Sequence, residues 1–212
     1  MDVVVVDYGV GNLLSVKRGL EHCGAEVIVT SNKDTILDSS RLVLPGVGAF
    51  ADGMKGLLKA GLDEVVCDFA STGKPFLGIC LGMQMLLEES EEFGLSKGLG
   101  LIPGKVIPIP KLDIENNIHK IPHIGWNELN CPEDEKNWSS DLMKNTQTGE
   151  SVYFVHSFMA KVADKNYEIA NCLYGGISIP AVIGYKNIFG CQFHPEKSGE
   201  SGLKILKSFI EL

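Results

Sequence analysis

Four consecutive valines, Val3 to Val6, are the feature that most restricts how this chain can fold. An uninterrupted β-branched run is typical of a strand covered on both faces, as in a parallel sheet. Two more short strands are predicted at Val27–Val29 and Leu42–Leu44, and a helix over about Leu13 to Cys23 lies between the first two. This alternation predicts a doubly wound, mainly parallel sheet with helices on both faces.

From Gly104 onward the pattern changes to short strands separated by turns, which we expect to be antiparallel and to extend the parallel core. They are predicted at Lys105–Pro108, Ile124–Trp126, Val152–Val155, Tyr167–Leu173 and Ala181–Tyr185. The acidic run Glu88–Glu92 before them is interpreted as a solvated helix end. No repeat or low-complexity linker divides the chain, so residues 1–212 are expected to form a single α/β domain of the flavodoxin-like type.

Composition indicates a soluble cytoplasmic protein. The formal net charge of −8 argues against a nucleic-acid or membrane surface as partner. The six cysteines include no Cys-x-x-Cys pair, which fits neither a zinc site nor a disulfide framework. The N-terminal apolar run is too short for a signal peptide, and no later run approaches a membrane span. Reduced thiols are therefore expected, without a metal or cofactor.

Cys80 lies in the segment with the clearest chemical signal. Phe76–Ile79 predicts a strand and Met83–Leu87 a helix, so Cys80 falls on the turn between them. Gly78 and Gly82 flank it at Gly-x-Cys-x-Gly spacing, the cysteine version of a nucleophile elbow. A thiol at a helix N-terminus is favoured as the reactive thiolate. Taken alone, the pattern fits a buried cysteine in a glycine-rich turn equally well.

Two glycine-rich loops follow predicted strands. Pro45–Gly48 lies at the carboxyl end of the third strand, where open α/β sheets bind ligands, and its backbone N–H groups can point into a site. Gly9–Gly11 suggests dinucleotide binding. However, Leu14 stands where the third glycine of that fingerprint belongs, and Thr30 stands near the position of its acidic residue. Dinucleotide binding is therefore disfavoured.

A second chemical segment, Gln192–Glu196, precedes a predicted closing helix over about Gly202 to Leu212. His194 can act as general base towards a thiol. Glu196 can hold the imidazole in the right tautomer and stabilise its charged form. Together with the turn at Cys80, the order nucleophile, histidine, carboxylate predicts a catalytic triad.

The chain closely resembles the class I, or triad, glutamine amidotransferases. Its segments Pro45–Gly48, Gly78–Gln84 and Gln192–Glu196 match the three signature segments of that family in order and spacing. The resemblance covers essentially the whole chain. Three further segments look like one branch of the family, the glutaminase subunits of imidazole glycerol phosphate synthases: Asp7–Asn12, Pro122–Asn127 and Tyr153–Ser157.

This resemblance implies specific roles. Cys80 would attack the side-chain amide of L-glutamine, His194 would protonate the departing ammonia, and Glu196 would orient His194. The backbone N–H groups of Val47 and Leu81 would form the oxyanion hole. The other positions that hold substrate in the family correspond to Gly46, Gly48, Gln84, Ser157 and Phe158. The role of His156 stays open between substrate binding and structure.

The resemblance also implies a heterodimer with a (βα)₈-barrel synthase subunit. Ammonia would pass to it unprotonated and react there to give imidazole glycerol phosphate in histidine biosynthesis. Positions that match the interface and its ammonia gate are Asn12, His123, Trp126, Tyr153 and Lys197. Two alternatives remain open. One is a paralogous subunit that supplies ammonia for amidating an acidic sugar of surface polysaccharide, and the other is a stand-alone cysteine hydrolase of similar fold.

Overall fold

The computed structural model describes residues 2–132 and 137–212 and is organised around a seven-stranded sheet. In spatial order its strands are β11 (Glu168–Tyr174), β12 (Ile177–Tyr185), β13 (Ile188–Cys191), β4 (Phe76–Cys80), β3 (Arg41–Gly46), β1 (Asp2–Val6) and β2 (Glu26–Thr30). The five strands from β13 to β2 are parallel neighbours, and β12 and β11 continue the sheet antiparallel. The parallel part has the flavodoxin-like order, so the predicted fold class is confirmed.

Helices cover both faces of this sheet. The helices α1 (Leu13–His22) and α6 (Gly199–Ile210) pack on one face. The other face carries α2 (Lys33–Asp38), α3 (Phe50–Lys59) and α4 (Asp63–Ser71). Within β1, Val3 and Val5 point into the first of these two buried clusters, whereas Val4 and Val6 point into the second. Burial on both sides explains why the strand is an unbroken valine run. Among the described helices, none has the length and apolar character needed to cross a membrane.

Two smaller sheets lie beside the central one, which corrects the expectation that all later strands extend it. One contains β10 (Phe158–Val162), β7 (Ile102–Pro108), β5 (Leu87–Ser90) and β6 (Ser96–Lys97). The other pairs β8 (His123–Glu128) with β9 (Ser151–His156). Of these later strands, only β12 and β11 extend the core: β12 pairs with the outer edge of β13, and β11 pairs with β12. The strand β13 itself, which pairs parallel with β4, was not predicted from the sequence.

The helix after Cys80 is also shorter than predicted. This helix, α5, spans Leu81–Met85, and Leu87 already begins β5. A helix of five residues has a small macrodipole. The positive potential that favours a thiolate at Cys80 therefore comes mainly from the backbone N–H groups of the first turn, which have no partner within the helix.

The turn at Cys80 packs directly against β3. Cys80 has a φ of 55°, in the left-handed region that is costly for a residue with a side chain. A Cβ atom on Gly82 would lie 1.8 Å from the carbonyl oxygen of Leu44, and one on Gly78 would lie 2.7 Å from the backbone nitrogen of Met83. The flanking glycines are therefore required by close contact with backbone, which cannot move aside as a flexible side chain could.

We expect Gly82→Ala to lower the free energy of unfolding by at least about 3 kcal/mol, because the added methyl group would force β3 and α5 apart. The control is Gly73→Ala, where φ is 81° but no atom lies within 4 Å of the added Cβ. This variant should lose only about 1–2 kcal/mol from the left-handed backbone. Urea unfolding of both variants measures the difference, and equal losses would contradict the close-contact explanation.

Candidate active site

Neighbouring parallel strands bring Cys80 and His194 together. Cys80 ends β4, and its neighbour β13 ends at Cys191, three residues before His194. The carboxyl ends of parallel strands lie at one edge of a sheet, so both side chains reach the same region. His194 is only 2% exposed and Cys80 8%. The nucleophile and its base therefore meet in a largely dry environment.

Glu196 holds the histidine through a buried ion pair. Glu196 lies in a short 3-10 helix, Pro195–Lys197, and its Oε1 is 2.8 Å from Nδ1 of His194. Its other oxygen, Oε2, is buried and has no hydrogen-bond partner among the residues that the structure describes. The carboxylate therefore acts mainly on His194. With Nδ1 donating to Glu196, Nε2 is the nitrogen left for the thiol.

His194 is set up to carry a proton. Burial lowers its pKa, but hydrogen bonds and charge interactions with Cys80 and Glu196 outweigh burial and raise the pKa from 6.5 to about 9. The imidazole is thus charged at neutral pH beside the sulfur. A positive histidine stabilises a thiolate and can later protonate a leaving group.

A pocket of about 350 Å³ opens in front of Cys80. Besides Cys80 and His194, its walls include six residues proposed from the sequence: Val47, Gly48, Leu81, Gln84, Ser157 and Phe158. Gly46 lies beneath this wall, where a Cβ atom would come within 2.7 Å of the Tyr8 hydroxyl and 3.0 Å of the Gly82 nitrogen. Gly46 therefore supports the loop by close packing and is not part of the pocket surface.

Two residues of the site were not proposed individually from the sequence. The buried Tyr8 donates a hydrogen bond from its hydroxyl to the Pro45 carbonyl, at 2.8 Å. Burial and the nearby Cys80 charge raise the pKa of this phenol, which keeps it a neutral donor. Glu92 lines the pocket, and its Oε2 accepts a hydrogen bond from the Phe50 N–H at the start of α3. The acidic run Glu88–Glu92, interpreted from the sequence as a helix end, instead lies mostly in β5. Glu92 follows the end of this strand and lies at the pocket.

His123 and His156 form a buried neutral pair. Nδ1 of His123 is 3.0 Å from Nε2 of His156, whose own Nδ1 donates to the Phe158 carbonyl at 2.8 Å. Burial lowers the pKa of both to about 4. His123 is only 2% exposed, so it lies beneath the surface proposed for the partner rather than on it. His156 lines the pocket and helps to fix the Phe158 carbonyl.

The other positions proposed for a partner interface lie at or near the surface. The Trp126 ring is 59% exposed and stands 6.2 Å from the Tyr153 ring across β8 and β9. Tyr153 also contacts the triad segment, because its carbonyl accepts the His194 N–H at 3.1 Å. Asn12 is half-buried before α1, and Lys197 is exposed directly after Glu196.

Comparison with known proteins agrees with this geometry. The family model for glutamine amidotransferase class-I matches residues 4–212. The chain belongs to the class-I glutamine amidotransferase family. A relative of this amidotransferase, imidazole glycerol phosphate synthase subunit HisH 1 of Legionella pneumophila strain Lens, is 52% identical over 210 residues, 99% of both chains. The HisH subunit of Caldanaerobacter subterraneus subsp. tengcongensis is 47% identical over 208 residues, 98% of this chain and 97% of that protein.

Solved structures resemble the amidotransferase in fold. PurLQS from Thermotoga maritima aligns with a TM-score of 0.71 at 21% identity, covering 99% of this chain and 97% of that one. A crystal structure described as a glutamine amidotransferase aligns with a TM-score of 0.72 at 17% identity, covering 98% and 97%. At these identities the alignments support the shared fold alone.

We expect a glutamine-analogue electrophile to alkylate Cys80 alone among the six cysteines. The pocket and the charged His194 favour reaction there. By contrast, burial raises the pKa of Cys172 to about 12 and also raises the pKa values of Cys191 and Cys67. Mass spectrometry of labelled peptides checks the site, with Cys80→Ser as the unlabelled control. Preferential labelling of another cysteine would rule out Cys80 as the nucleophile.

We expect Cys80→Ser and His194→Asn nearly to abolish glutamate release, with the free energy of unfolding of Cys80→Ser within about 1 kcal/mol of wild type. Glu196→Gln should reduce turnover less, because an amide can still accept from Nδ1. The control is His22→Asn, which changes an exposed histidine at the end of α1 and should leave turnover unaltered. Wild-type turnover by the His194 variant would exclude the triad.

Glu196→Gln should also lower the pKa of His194 below its value of about 9, because the attraction of the carboxylate is lost. A raised folded-state pKa stabilises the protein fully below about 6.5, and this contribution disappears as the pH rises through about 9. The variant should lose that stabilisation at a lower pH. NMR titration of the imidazole and urea unfolding between these pH values check both effects. An unchanged titration would show that Glu196 does not control His194.

Proposed function

We propose that this chain is the glutaminase subunit of imidazole glycerol phosphate synthase, which hydrolyses L-glutamine to glutamate and ammonia. The observation that carries the proposal is the buried Cys80, His194 and Glu196 cluster at one end of a pocket of about 350 Å³. Relatives named as HisH subunits of that synthase, 52% and 47% identical over nearly their whole length, support this branch of the family.

In the first half-reaction the Cys80 thiolate attacks the side-chain carboxamide carbon of glutamine. The carbonyl oxygen becomes an oxyanion, which accepts hydrogen bonds from the backbone N–H groups of Leu81 and Val47. The Leu81 N–H is available because it begins α5 and has no partner within that helix. His194 gives its proton to the departing nitrogen, which leaves as ammonia. A γ-glutamyl thioester on Cys80 remains.

The second half-reaction uses the same groups in reverse. His194, now neutral, takes a proton from a water molecule as that water attacks the thioester carbon. Glu196 stabilises the imidazolium that forms. Collapse of the second tetrahedral intermediate releases glutamate and restores the thiolate beside a charged histidine.

The pocket walls suit a zwitterionic amino acid. The Glu92 carboxylate brings a negative charge that attracts an α-ammonium group, while its Oε2 is held by the Phe50 N–H. Ser157 and Phe158 form another part of the wall, and the His156 hydrogen bond fixes the Phe158 carbonyl. In the proposed complex these contacts hold the substrate with its amide end towards Cys80.

The surface beside the pocket suits a protein partner. Ile124, Trp126 and Val155, on the two strands β8 and β9, are all exposed apolar side chains, and the same sheet reaches the triad through Tyr153. Aromatic anchors of this kind are common at interfaces. A (βα)₈-barrel synthase subunit docked here in a cytoplasmic heterodimer would receive ammonia without exposing it to water, where it would become ammonium.

We expect the isolated chain to hydrolyse glutamine poorly and the barrel subunit, with acceptor bound, to raise kcat much more than it lowers KM. In the Pro45–Gly48 loop, Val47 is 40% exposed and Gly48 has a φ of 98°, so the peptide before Val47 has room to rotate. A partner that favours the orientation with the Val47 N–H pointing to the oxyanion adds a hydrogen-bond donor that acts in the transition state. A coupling of about 1–3 kcal/mol corresponds to roughly 5–150-fold.

Steady-state glutaminase kinetics of the chain alone, with the barrel, and with barrel and acceptor analogue test this expectation. Full turnover by the isolated chain, unchanged by any barrel, would contradict it and favour a stand-alone hydrolase. Formation of imidazole glycerol phosphate from glutamine by the reconstituted pair tests the pathway. A pair that instead amidates an acidic sugar would assign the chain to the paralogous branch.

A further inference from the structure

A hairpin that precedes β8 exposes a group of apolar side chains to which the mechanism above gives no role. Residues 111–119, called here the apolar hairpin, contain an isolated antiparallel bridge between Leu112 and Ile118. Ile118 is 86% exposed, Ile114 is 70% exposed, and Leu112 is exposed as well. Contiguous exposed apolar surface on a soluble protein typically marks an interaction site.

The apolar hairpin is held in one conformation although its apolar side chains are exposed. Oδ1 of Asp113 accepts the backbone N–H groups of Glu115 and Asn117, at 2.9 and 2.8 Å. The Ile114 N–H donates to the carbonyl of Gly175, in the turn between β11 and β12, at 3.1 Å. The side chains are therefore presented in a fixed arrangement, and a partner that binds them does not have to order the loop first.

The turn that supports the apolar hairpin projects past the edge of the sheet where Cys80 lies. The strand β12 is antiparallel to β13, and its Val182 is level with Cys191, the last residue of β13. Ile177–Ala181 continue beyond that level, which corresponds to about 17 Å at about 3.4 Å per residue. The turn at Gly175–Gly176 and the hairpin on it therefore stand on the side from which a partner would cover the pocket.

The apolar hairpin is also continuous with the strands already proposed for the barrel contact. It leads into β8, and the Tyr174 ring at the end of β11 stacks on the His123 ring, with centroids 4.1 Å apart. Nδ2 of Asn127 donates to the Leu173 carbonyl at 2.8 Å and so joins β8 to β11. The Leu173 side chain is itself exposed. The hairpin and the exposed apolar face of β8 and β9 thus belong to one packed unit.

We propose that the apolar hairpin is a second contact with the barrel subunit, in which Ile114 and Ile118 bury their side chains against apolar surface at the rim of that barrel. The inference rests on the proposed function, because it takes the same partner. A partner that covers the pocket sits over the carboxyl edge of the sheet, and the hairpin stands beside that position. Since the hairpin touches no substrate, it adds affinity for the partner and leaves the chemistry at Cys80 unchanged.

The test measures the dissociation constant, Kd, of the complex with the barrel subunit by isothermal titration calorimetry. Ile118→Glu and Ile118→Lys place charges of opposite sign at the most exposed position of the hairpin. We expect both variants to raise Kd about tenfold or more, because either charge would lose its water in an apolar contact. Both should keep the wild-type melting temperature and the wild-type rate of alkylation of Cys80 by a glutamine analogue.

Two further variants serve as controls. Leu58→Glu adds the same charge at an exposed leucine near the end of α3, a helix that begins beside the Pro45–Gly48 loop and runs away from the site edge. This variant should bind the barrel with the wild-type Kd. Trp126→Ala removes the exposed aromatic ring of β8 and should raise Kd, which reports on the contact proposed for β8 and β9.

An unchanged Kd in both Ile118 variants would overturn the inference, as would a rise in only one of them, which would indicate charge attraction in place of apolar burial. A wild-type chain that does not bind the barrel would instead overturn the proposed function. Sedimentation of the chain alone tests a second copy as the occupant. A wild-type dimer that Ile118→Glu dissociates, with Kd for the barrel unaltered, would assign the hairpin to self-association and overturn the inference.

Discussion

The close packing of the turn at Cys80 against β3 is the constraint on which the rest of the site depends. Gly82 approaches the Leu44 carbonyl so closely that no side chain fits, and this contact holds Cys80 at the edge of the sheet. The parallel neighbours of β4 then supply the remaining groups. On one side Gly46 pairs with Cys80 in register and leads into the oxyanion loop, and on the other side β13 leads to His194. One sheet edge thus assembles nucleophile, oxyanion donors and base.

The difference in charge between the histidines of this site comes from their partners, because burial acts on all three in the same direction. Burial lowers the pKa of His123, His156 and His194 alike. His123 and His156 have mainly each other and uncharged groups around them, and both stay neutral with pKa values of about 4. His194 contacts Glu196 and Cys80, which raise its pKa to about 9. The one charged imidazole is therefore the one beside the nucleophile, where a proton must be donated and taken back.

Local patterns in the sequence predicted the features that depend on local constraints. The valine run predicted β1 because burial on both faces leaves no polar position, and the glycine spacing predicted the turn at Cys80 because close contact excludes side chains. The four-residue strand β13 was also missed. The contacts of Glu92 were missed because they depend on which distant segments meet. For the same reason β7, β8 and β9 were wrongly expected to extend the central sheet, whereas β11 and β12 do extend it.

The central claim is that turnover passes through a γ-glutamyl thioester on Cys80, formed with His194 and Glu196 in place. The most direct measurement is rapid acid quenching of the complex during glutamine turnover, followed by mass spectrometry of its peptides. We expect one γ-glutamyl group on the peptide that contains Cys80, removable by hydroxylamine as a thioester should be. Glutamate release without any adduct on Cys80, or with the adduct on another residue, would contradict the account.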